Sequence, residues 1–444
     1  MHRIPHIFSA LLLFAALFMP LSAQAEYYTE MPVHLRMTQK TSIEQLKKNI
    51  YLRLTYPQTA NEEVNSEMAA LIDEMTARSR DTLSLERTDA TSSLDVGAVI
   101  SRTGTSFMSF LTIAETSREY VQHHVDFDAR VYDIRTGKRI FLTDVFPEGS
   151  GAWSVLADAA RTQLSAAFPS MEADSAALDA LCSEAAIKEA AFTMGPVRLT
   201  LTYRADALYP GKNTLLHVNI PYGELRRFMT PVAYAQTDNS RFRMVALTYD
   251  DGPVRDTTRK VMDELRKGGA SATFFIIGRR MPGNRDFLAR QQDSNYSIQS
   301  HTYTHRYPGK IKTDEIFAEK AQFAAELAEI TGVAPVMMRA PGGMDEFYTE
   351  REIGYPVMHW SLAAGDSGNG KTKSIVPRVL NQIDHGDIVL MHDLNSESPR
   401  YTAKILASLN EQGYLCVTVE ELFIAAGVPL ENNRVYFSPY RADE

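Results

Sequence analysis

Acidic and histidine side chains recur in the C-terminal half of the sequence, each directly after a short apolar run. The runs MVALTY, YSIQS and DIVLM are followed by Asp250 and Asp251, by His301 and His305, and by His392. Adjacent aspartates at the end of a strand point in opposite directions, because strand side chains alternate with a period of two. One carboxylate can therefore bind a metal ion while its neighbour serves a different task.

Two imidazoles and one carboxylate form an open three-ligand set for Zn²⁺ or a similar divalent ion, and Asp251, His301 and His305 could supply it. The open position holds a water, whose pKa the metal lowers towards neutrality. Each element alone has an ordinary explanation: an Asp-Asp-Gly-Pro turn is usually only a capped turn, and Arg339 or His392 could be structural. Their joint occurrence, each after an apolar strand, favours a metal site.

The elements that must position these residues alternate regularly from residue 243 onward. Apolar runs such as ATFFIIG, YSIQS and DIVLM are separated by segments with helical spacing. This alternation is typical of a parallel sheet covered by helices, so the fold class is α/β. About seven strands in a segment of this length favour a small (β/α) barrel over an open sheet, with the chemistry at the carboxyl ends of the strands.

Five motifs in this half, TYDDGP, HTYTH, RAPGG, WSLAAGDS and LMH, resemble in order those of the NodB-homology polysaccharide deacetylases, carbohydrate esterase family 4. The resemblance covers most of residues 243–422 and implies a distorted (β/α)7 barrel that removes acetyl groups from a carbohydrate. Gly342 stands where a Tyr is common in the family, Ala363 where an Asp is common and Ser367 where a Trp is common. The shape of the substrate cleft is therefore expected to differ.

The resemblance implies four catalytic roles. Asp250 would be the base that takes a proton from water, and Arg339 would pair with Asp250 and orient it. His392 would protonate the leaving amine, and Asp366 would support His392. These roles suit amide hydrolysis, which needs both a strong nucleophile and protonation of a poor leaving group.

The resemblance also implies a cofactor and a substrate pocket. One divalent metal, with Zn²⁺ as the expected ion, would be bound by Asp251, His301 and His305. The substrate site would include Gly342, Leu390 and Trp360, with the Gly342 N–H sharing the oxyanion and Leu390 facing the acetyl methyl. An alternative for Asp366 is that it only caps the following loop, with Asp384 or Asp393 near His392 instead.

The N-terminal half, residues 26–228, mixes helical and strand patterns without strict alternation, which indicates an α+β domain. Residues 61–83 carry apolar side chains at helical spacing, whereas VQHHVDFDARVYDI alternates like a strand. The stretches FDARVYDIRTGKRIFLTDVF and YPGKNTLLHVNIPYGEL resemble the RsiV-like domain of unknown function, which can precede a deacetylase on bacterial surface proteins. The polar residues 229–242 are expected to be a linker, and residues 423–444 a C-terminal tail.

The start of the chain predicts export. Residues 1–25 place Arg3 before the apolar run IFSALLLFAALFM and end in Ala23-Gln24-Ala25, the pattern of a cleaved signal peptide; an uncleaved anchor is the alternative. No later segment is apolar enough to span a membrane. The expected location is therefore extracellular, cell-wall associated or periplasmic.

The function expected from these patterns is deacetylation of N-acetylated sugars in a cell-wall polysaccharide, most simply peptidoglycan. The alternatives are a chitin-like, exopolysaccharide or xylan substrate, or a wall-binding protein that has lost its activity. A net charge of −9 without a basic run excludes a typical nucleic-acid partner.

Overall fold

The computed structural model describes the chain in five stretches: residues 26–83, 91–118, 121–307, 309–367 and 370–440. The expected signal peptide, residues 1–25, lies outside the described residues. None of the helices within those stretches is both long and apolar enough to cross a lipid bilayer. Cys182 and Cys416 are both free thiols.

The N-terminal half is built from two sheets and several helices. Its strands are β1 (Met37–Lys47), β2 (Ile50–Thr59), β3 (Ser92–Thr103), β4 (Phe107–Arg118), β5 (Val121–Asp133), β6 (Arg139–Ile140), β7 (Phe192–Met194), β8 (Arg198–Arg204) and β9 (Leu215–Pro221). Its helices are α1 (Glu62–Arg80), α2 (Leu142–Val145), α3 (Ala152–Ser165), α4 (Ser175–Leu181), α5 (Glu184–Lys188) and α6 (Tyr222–Leu225). Strands β1 to β6 form one sheet in sequence order, and β7 to β9 form an antiparallel second sheet.

Helix α1 connects β2 to β3, the parallel pair in the first sheet. The Asn61 side chain accepts hydrogen bonds from the backbone N–H groups of Glu63 and Val64, which caps the helix start. The apolar residues at helical spacing, from Val64 to Met75, are buried. The helix predicted for this segment is therefore present, and its apolar face stabilises the sheet.

The C-terminal half alternates strands and helices as expected. Its strands are β10 (Arg243–Asp250), β11 (Thr273–Ile276), β12 (Ser297–Ser300), β13 (Val357–Met358), β14 (Leu362–Ala363), β15 (Ile388–His392), β16 (Tyr414–Val417) and β17 (Val435–Tyr436). Helix α7 (Pro231–Gln236) precedes them, and the others are α8 (Arg255–Gly268), α9 (Arg285–Asp293), α10 (Thr313–Thr331), α11 (Asp345–Thr349), α12 (Thr372–Leu380), α13 (Ser398–Glu411) and α14 (Val419–Ala426).

The strands of this half form a curled parallel sheet. The order β12-β11-β10-β15-β14 runs through the central strand β10, and β16 pairs with the first residues of β10. Single bridges join Ser300 to Met338 and Met338 to Val357, so the sheet continues around towards β13 and β14. This confirms the α/β class that the alternating pattern predicted, and the curled sheet agrees with the distorted barrel that the family resemblance implied. The arrangement brings the carboxyl ends of the strands together.

Two segments differ from their expected form. Residues 229–242, expected to be a linker, contain α7, which is capped by the Thr230 side chain and begins with Pro231. Residues 423–444, expected to be a tail, contain the end of α14 and the strand β17, which pairs with β13. Pairing with an otherwise open strand edge satisfies backbone groups that a free tail would leave to water.

The two halves share a buried interface. One apolar cluster contains Met31 and Leu35 together with Phe242, Met244 and Leu415. The backbone N–H of Met31 donates to Glu411 O at 3.0 Å. A shared apolar cluster of this kind makes the contact between the two halves extensive rather than loose.

The N-terminal half contacts the end of the barrel at which the strands begin. The ring of Tyr27 lies 5.1 Å from that of His385, which precedes β15. The Gln39 side chain donates to Arg266 O near the end of α8, at 3.0 Å. The carboxyl ends of the strands lie at the opposite end of the barrel.

Polar contacts at the end of α9 hold the same interface. The Asp293 carboxylate, 2% exposed, accepts hydrogen bonds from Thr214 Oγ1 and from the Leu215 N–H, both at 2.6 Å. The His217 Nε2–H donates to Gln292 O at 2.9 Å. Buried polar groups of this kind are costly to leave without a partner.

We expect Asp293→Ala to destabilise the whole chain, because it leaves the Thr214 hydroxyl and the Leu215 N–H buried without their acceptor. The free energy of unfolding should fall by about 1–3 kcal/mol for each group left unpaired. Urea denaturation followed by circular dichroism measures this. The exposed Asp314→Ala should change stability by less than about 0.5 kcal/mol, and equal stabilities for the two variants would contradict the prediction.

Candidate metal centre and active site

The chemistry-bearing residues meet at the carboxyl ends of neighbouring strands. Asp250 ends β10 and pairs in register with His392, which ends β15. His301 follows β12, on the other side of β10 beyond β11. The side chains of three separate sequence motifs therefore face one another.

The metal-ligating atoms of Asp251, His301 and His305 lie within 4.8 Å of one another. Nε2 of His301 is 3.5 Å and Nε2 of His305 is 3.2 Å from Asp251 Oδ1. That oxygen is buried and has no hydrogen-bond partner among the described residues. An orphaned carboxylate oxygen facing two imidazole nitrogens fits a bound divalent cation.

Each ligand is held in a form that can bind a cation. His301 Nδ1 lies 2.9 Å from Arg339 O; a carbonyl only accepts, so Nδ1 carries the proton and Nε2 keeps its lone pair. Burial lowers the pKa of His305 and favours its neutral form. Asp251 adopts a left-handed φ of 73°, which breaks the strand direction directly after Asp250.

Asp250 is held by a fully buried arginine. Arg339 Nη1 donates to Asp250 Oδ1 at 2.8 Å and to Thr248 Oγ1 at 2.7 Å. Arg339 Nε and Nη2 donate to the carbonyl oxygens of Met358 and His359. The other carboxylate oxygen, Asp250 Oδ2, lies 3.9 Å from His301 Nε2 and so faces the metal-ligand set.

His392 forms a hydrogen-bonded pair with Asp366. Nδ1 of His392 lies 2.9 Å from Asp366 Oδ1, and the His392 N–H donates to Asp366 Oδ2 at 2.6 Å. Burial alone would lower the pKa of His392, but the bond to Asp366 and the charges of Asp366, Asp250 and Asp251 outweigh it and raise that pKa to about 9. Nε2 of His392, 4.0 Å from Asp251 Oδ2, therefore carries a proton at neutral pH.

The two carboxylates considered as alternative partners of His392 accept hydrogen bonds from other groups. Asp393 accepts a short hydrogen bond from the Thr258 hydroxyl. Asp384 accepts from the N–H of His385. The imidazole of His392 contacts Asp366, so the structure favours the supporting position over the simple loop cap.

The residues expected to line the substrate pocket lie around this centre. Gly342, at φ 65°, packs against Tyr307, so that a Cβ at this position would come within 2.6 Å of the ring. The Tyr307 ring in turn meets that of His305 edge-on at 5.5 Å. Trp360 stacks on His359 at 3.9 Å and lies 5.9 Å from the Arg339 guanidinium.

Leu390 occupies the middle of β15, half-buried, opposite Thr248 and Ala363. It stands two residues before His392 and therefore projects to the same side of the strand. This position suits a side chain that lines the floor of the pocket next to His392.

Sequence reasoning missed three supporting residues. Thr248 lies two residues before Asp250, so strand alternation could have indicated that it shares the Asp250 side. The Tyr401 hydroxyl donates to Asp366 Oδ2 at 2.6 Å, and Tyr307 forms a wall beside His305. Neither tyrosine stands in a pattern that marks it.

Comparisons with known proteins point to one family. Residues 237–355 match the family described as polysaccharide deacetylase. A peptidoglycan-N-acetylglucosamine deacetylase of Bacillus cereus is 35% identical over 208 residues, covering 45% of this chain and 97% of the relative.

Two longer relatives match the same half of the chain. The peptidoglycan-N-acetylglucosamine deacetylase PgdA of Listeria monocytogenes is 31% identical over 195 residues, covering 44% of this chain and 41% of the relative. The peptidoglycan-N-acetylmuramic acid deacetylase PdaC of Bacillus subtilis is 30% identical over 189 residues, covering 42% of this chain and 40% of the relative. This chain thus spans about two fifths of the length of each.

We expect about one divalent ion per chain, bound at the orphaned Asp251 oxygen and the two Nε2 atoms. His301→Ala removes one of three ligands and should abolish stoichiometric binding after dialysis against Zn²⁺. Elemental analysis of the dialysed protein measures the content. His34→Ala, which changes a half-buried histidine of the N-terminal half, should keep the wild-type content, and full occupancy in His301→Ala would exclude this site.

Proposed function

We propose that this chain, which belongs to the polysaccharide deacetylase family, removes acetyl groups from N-acetylated sugars of peptidoglycan. One observation supports this proposal above all. Around one point at the carboxyl ends of the strands lie the candidate metal ligands, the Arg339–Asp250 pair and the Asp366–His392 pair. We propose Zn²⁺ as the bound ion. The relatives are named for acetylated sugars of the bacterial wall, which supports this substrate.

A substrate in the cell wall lies outside the cytoplasm, which agrees with the export expected from the sequence. We propose that residues 1–25 direct export, so that the chain acts outside the cytoplasm. We further propose that residues 26–228 form an RsiV-like domain of unknown function and that residues 243–422 form the deacetylase domain.

The first half of the reaction needs a nucleophilic water. A divalent cation held by Asp251, His301 and His305 would supply Lewis acidity, which polarises an acyl oxygen and acidifies water. Asp250 Oδ2 takes a proton from the attacking water, because Arg339 occupies Oδ1 and holds the carboxylate in place. The water oxygen then forms a bond to the acetyl carbonyl carbon, and the Gly342 N–H donates to the developing oxyanion.

The second half of the reaction breaks the carbon–nitrogen bond. His392 Nε2 gives its proton to the amide nitrogen, and the electron pair of the broken bond goes to that nitrogen. Asp366 keeps the imidazolium oriented through Nδ1. The products are acetate and the free amino sugar, so His392 must be protonated at the start of each turnover.

We expect wild-type protein to release acetate from purified peptidoglycan and Asp250→Asn to lose this activity by about 10²–10⁴-fold. The amide can still occupy the same space, but it cannot accept a proton. Asp250→Asn should keep its metal, since Asp251 is the ligand. Acetate release and metal content, measured on the same samples, check both points.

The substrate class and the base have separate controls. Asp158→Asn, an exposed change far from the strand ends, should keep full activity. Faster acetate release from chitin oligomers or acetylated xylan than from peptidoglycan would overturn the proposed substrate. Activity of Asp250→Asn within a few-fold of wild type would remove Asp250 as the base.

We expect Asp366→Asn to move the alkaline limb of the pH–activity profile to lower pH. The raised pKa of His392, about 9, keeps the general acid protonated up to that pH, and activity falls as the proton is lost. Removing the Asp366 charge lowers this pKa towards its ordinary value of 6.5. Profiles of kcat/KM against pH measure the shift.

The matched control for this change is Asp384→Asn, an exposed carboxylate that precedes β15. Its alkaline limb should coincide with that of wild type. If Asp366→Asn lowers the melting temperature but leaves the limb in place, Asp366 has a structural role only.

A further inference from the structure

The segment from His301 to His305, in which three residues separate the two candidate metal ligands, forms a tight loop with strained backbone. Thr302 has a φ of 60° and His305 a φ of 58°, left-handed values that side-chain-bearing residues rarely adopt. Such conformations are unfavourable and persist only where the surrounding structure holds them. One of the two is a metal ligand, so the position of the His305 imidazole depends on whatever holds the loop.

Glu319, on the neighbouring helix α10, binds this loop at its centre. Its Oε2 accepts hydrogen bonds from the N–H groups of Tyr303 and Thr304, at 3.1 and 3.0 Å. Its Oε1 accepts the Thr304 hydroxyl and Nη2 of Arg306. One carboxylate thus accepts from three residues, Tyr303, Thr304 and Arg306, the first two of which lie between the histidines.

Other backbone groups of the loop form hydrogen bonds to the barrel and within the loop itself. The carbonyl oxygens of Thr302 and Tyr303 accept from the N–H groups of Gly278 and Arg279. The His305 N–H donates to Thr302 Oγ1 at 3.0 Å. With these bonds in place, Glu319 supplies the acceptors for the two amides at the loop centre.

The burial of Glu319 makes its hydrogen bonds to the loop necessary. Glu319 is 7% exposed, and a buried carboxylate is costly unless it is paired and hydrogen-bonded. Arg306 neutralises its charge and also contacts Glu315, one helical turn earlier on α10. The bonds of Glu319 therefore favour one loop conformation, the one that brings His305 Nε2 to Asp251.

We propose that Glu319 is a positioning residue for the metal centre: it shapes the loop so that His305 joins His301 and Asp251 as a ligand. This inference rests on the metal-dependent function proposed above. Glu319 itself does not touch the ligand atoms, and its effect is transmitted through the loop backbone. Outer partners that orient ligands typically contribute 10–100-fold to metal affinity.

The test measures metal affinity directly. Metal-free wild type, Glu319→Ala and Glu319→Gln are titrated with Zn²⁺ by calorimetry and with Co²⁺ by visible absorption, at a temperature where circular dichroism shows each protein folded. Glu319→Ala should raise the dissociation constant by about 10–100-fold and change the Co²⁺ spectrum as His305 leaves the coordination sphere. Glu319→Gln keeps an acceptor for the two amides and should lose less affinity.

Glu326→Gln is the matched control. Glu326 lies on the same helix and accepts from the Tyr303 hydroxyl at 2.9 Å, but it does not bind the loop backbone. Its dissociation constants should equal those of wild type. This comparison separates an effect on the loop from a general effect of losing a carboxylate on α10.

Two outcomes overturn the inference. The first is a folded Glu319→Ala protein with wild-type dissociation constants. The second applies if Glu319→Ala does not fold: Glu319→Gln then has the same dissociation constants as Glu326→Gln in both titrations. Wild type that binds Zn²⁺ but releases no acetate would count against the proposed function alone, and the comparison of dissociation constants would still decide the role of Glu319.

Discussion

The guanidinium of Arg339 is fully buried, so its N–H groups require hydrogen-bond acceptors inside the protein. These acceptors lie on different strands, and Arg339 therefore links most of the site. Its nitrogen atoms donate to Thr248 and Asp250 on β10, to the carbonyl oxygen of Met358 at the end of β13 and to that of His359 directly after it. Its own carbonyl oxygen accepts from His301. Since a buried cation without partners is strongly unfavourable, the strand ends must keep the spacing that satisfies it.

Around Arg339, side chains of the same type have different roles because their bonding partners differ. The consecutive residues Asp250 and Asp251 differ because one is paired with a cation and the other presents an unpaired oxygen to two imidazoles. Likewise His301 keeps a free Nε2 because a carbonyl holds Nδ1, whereas His392 is protonated because Asp366 holds Nδ1. The second partner of each group, more than its residue type, determines what it can do.

The sequence predicted the parts of this site whose residues follow apolar strands directly. The α/β fold, the proximity of Asp251, His301 and His305 and the contacts of Asp250 with Arg339 and of His392 with Asp366 were all expected. Supporting residues on helices were not, because Glu319 and Tyr401 stand far from the loops they hold and have no local pattern. The strand β17 and the docking of the N-terminal half also escaped prediction, since both depend on long-range pairing that composition does not record.

The contact of Tyr27 with His385 places the first described residues at one end of the barrel. Tyr27 lies where the barrel strands begin, next to the N-terminal half, whereas the cluster of Asp251, His301 and His305 lies at the opposite end of the strands. An attachment made near Tyr27 would therefore leave that cluster facing away from the point of attachment.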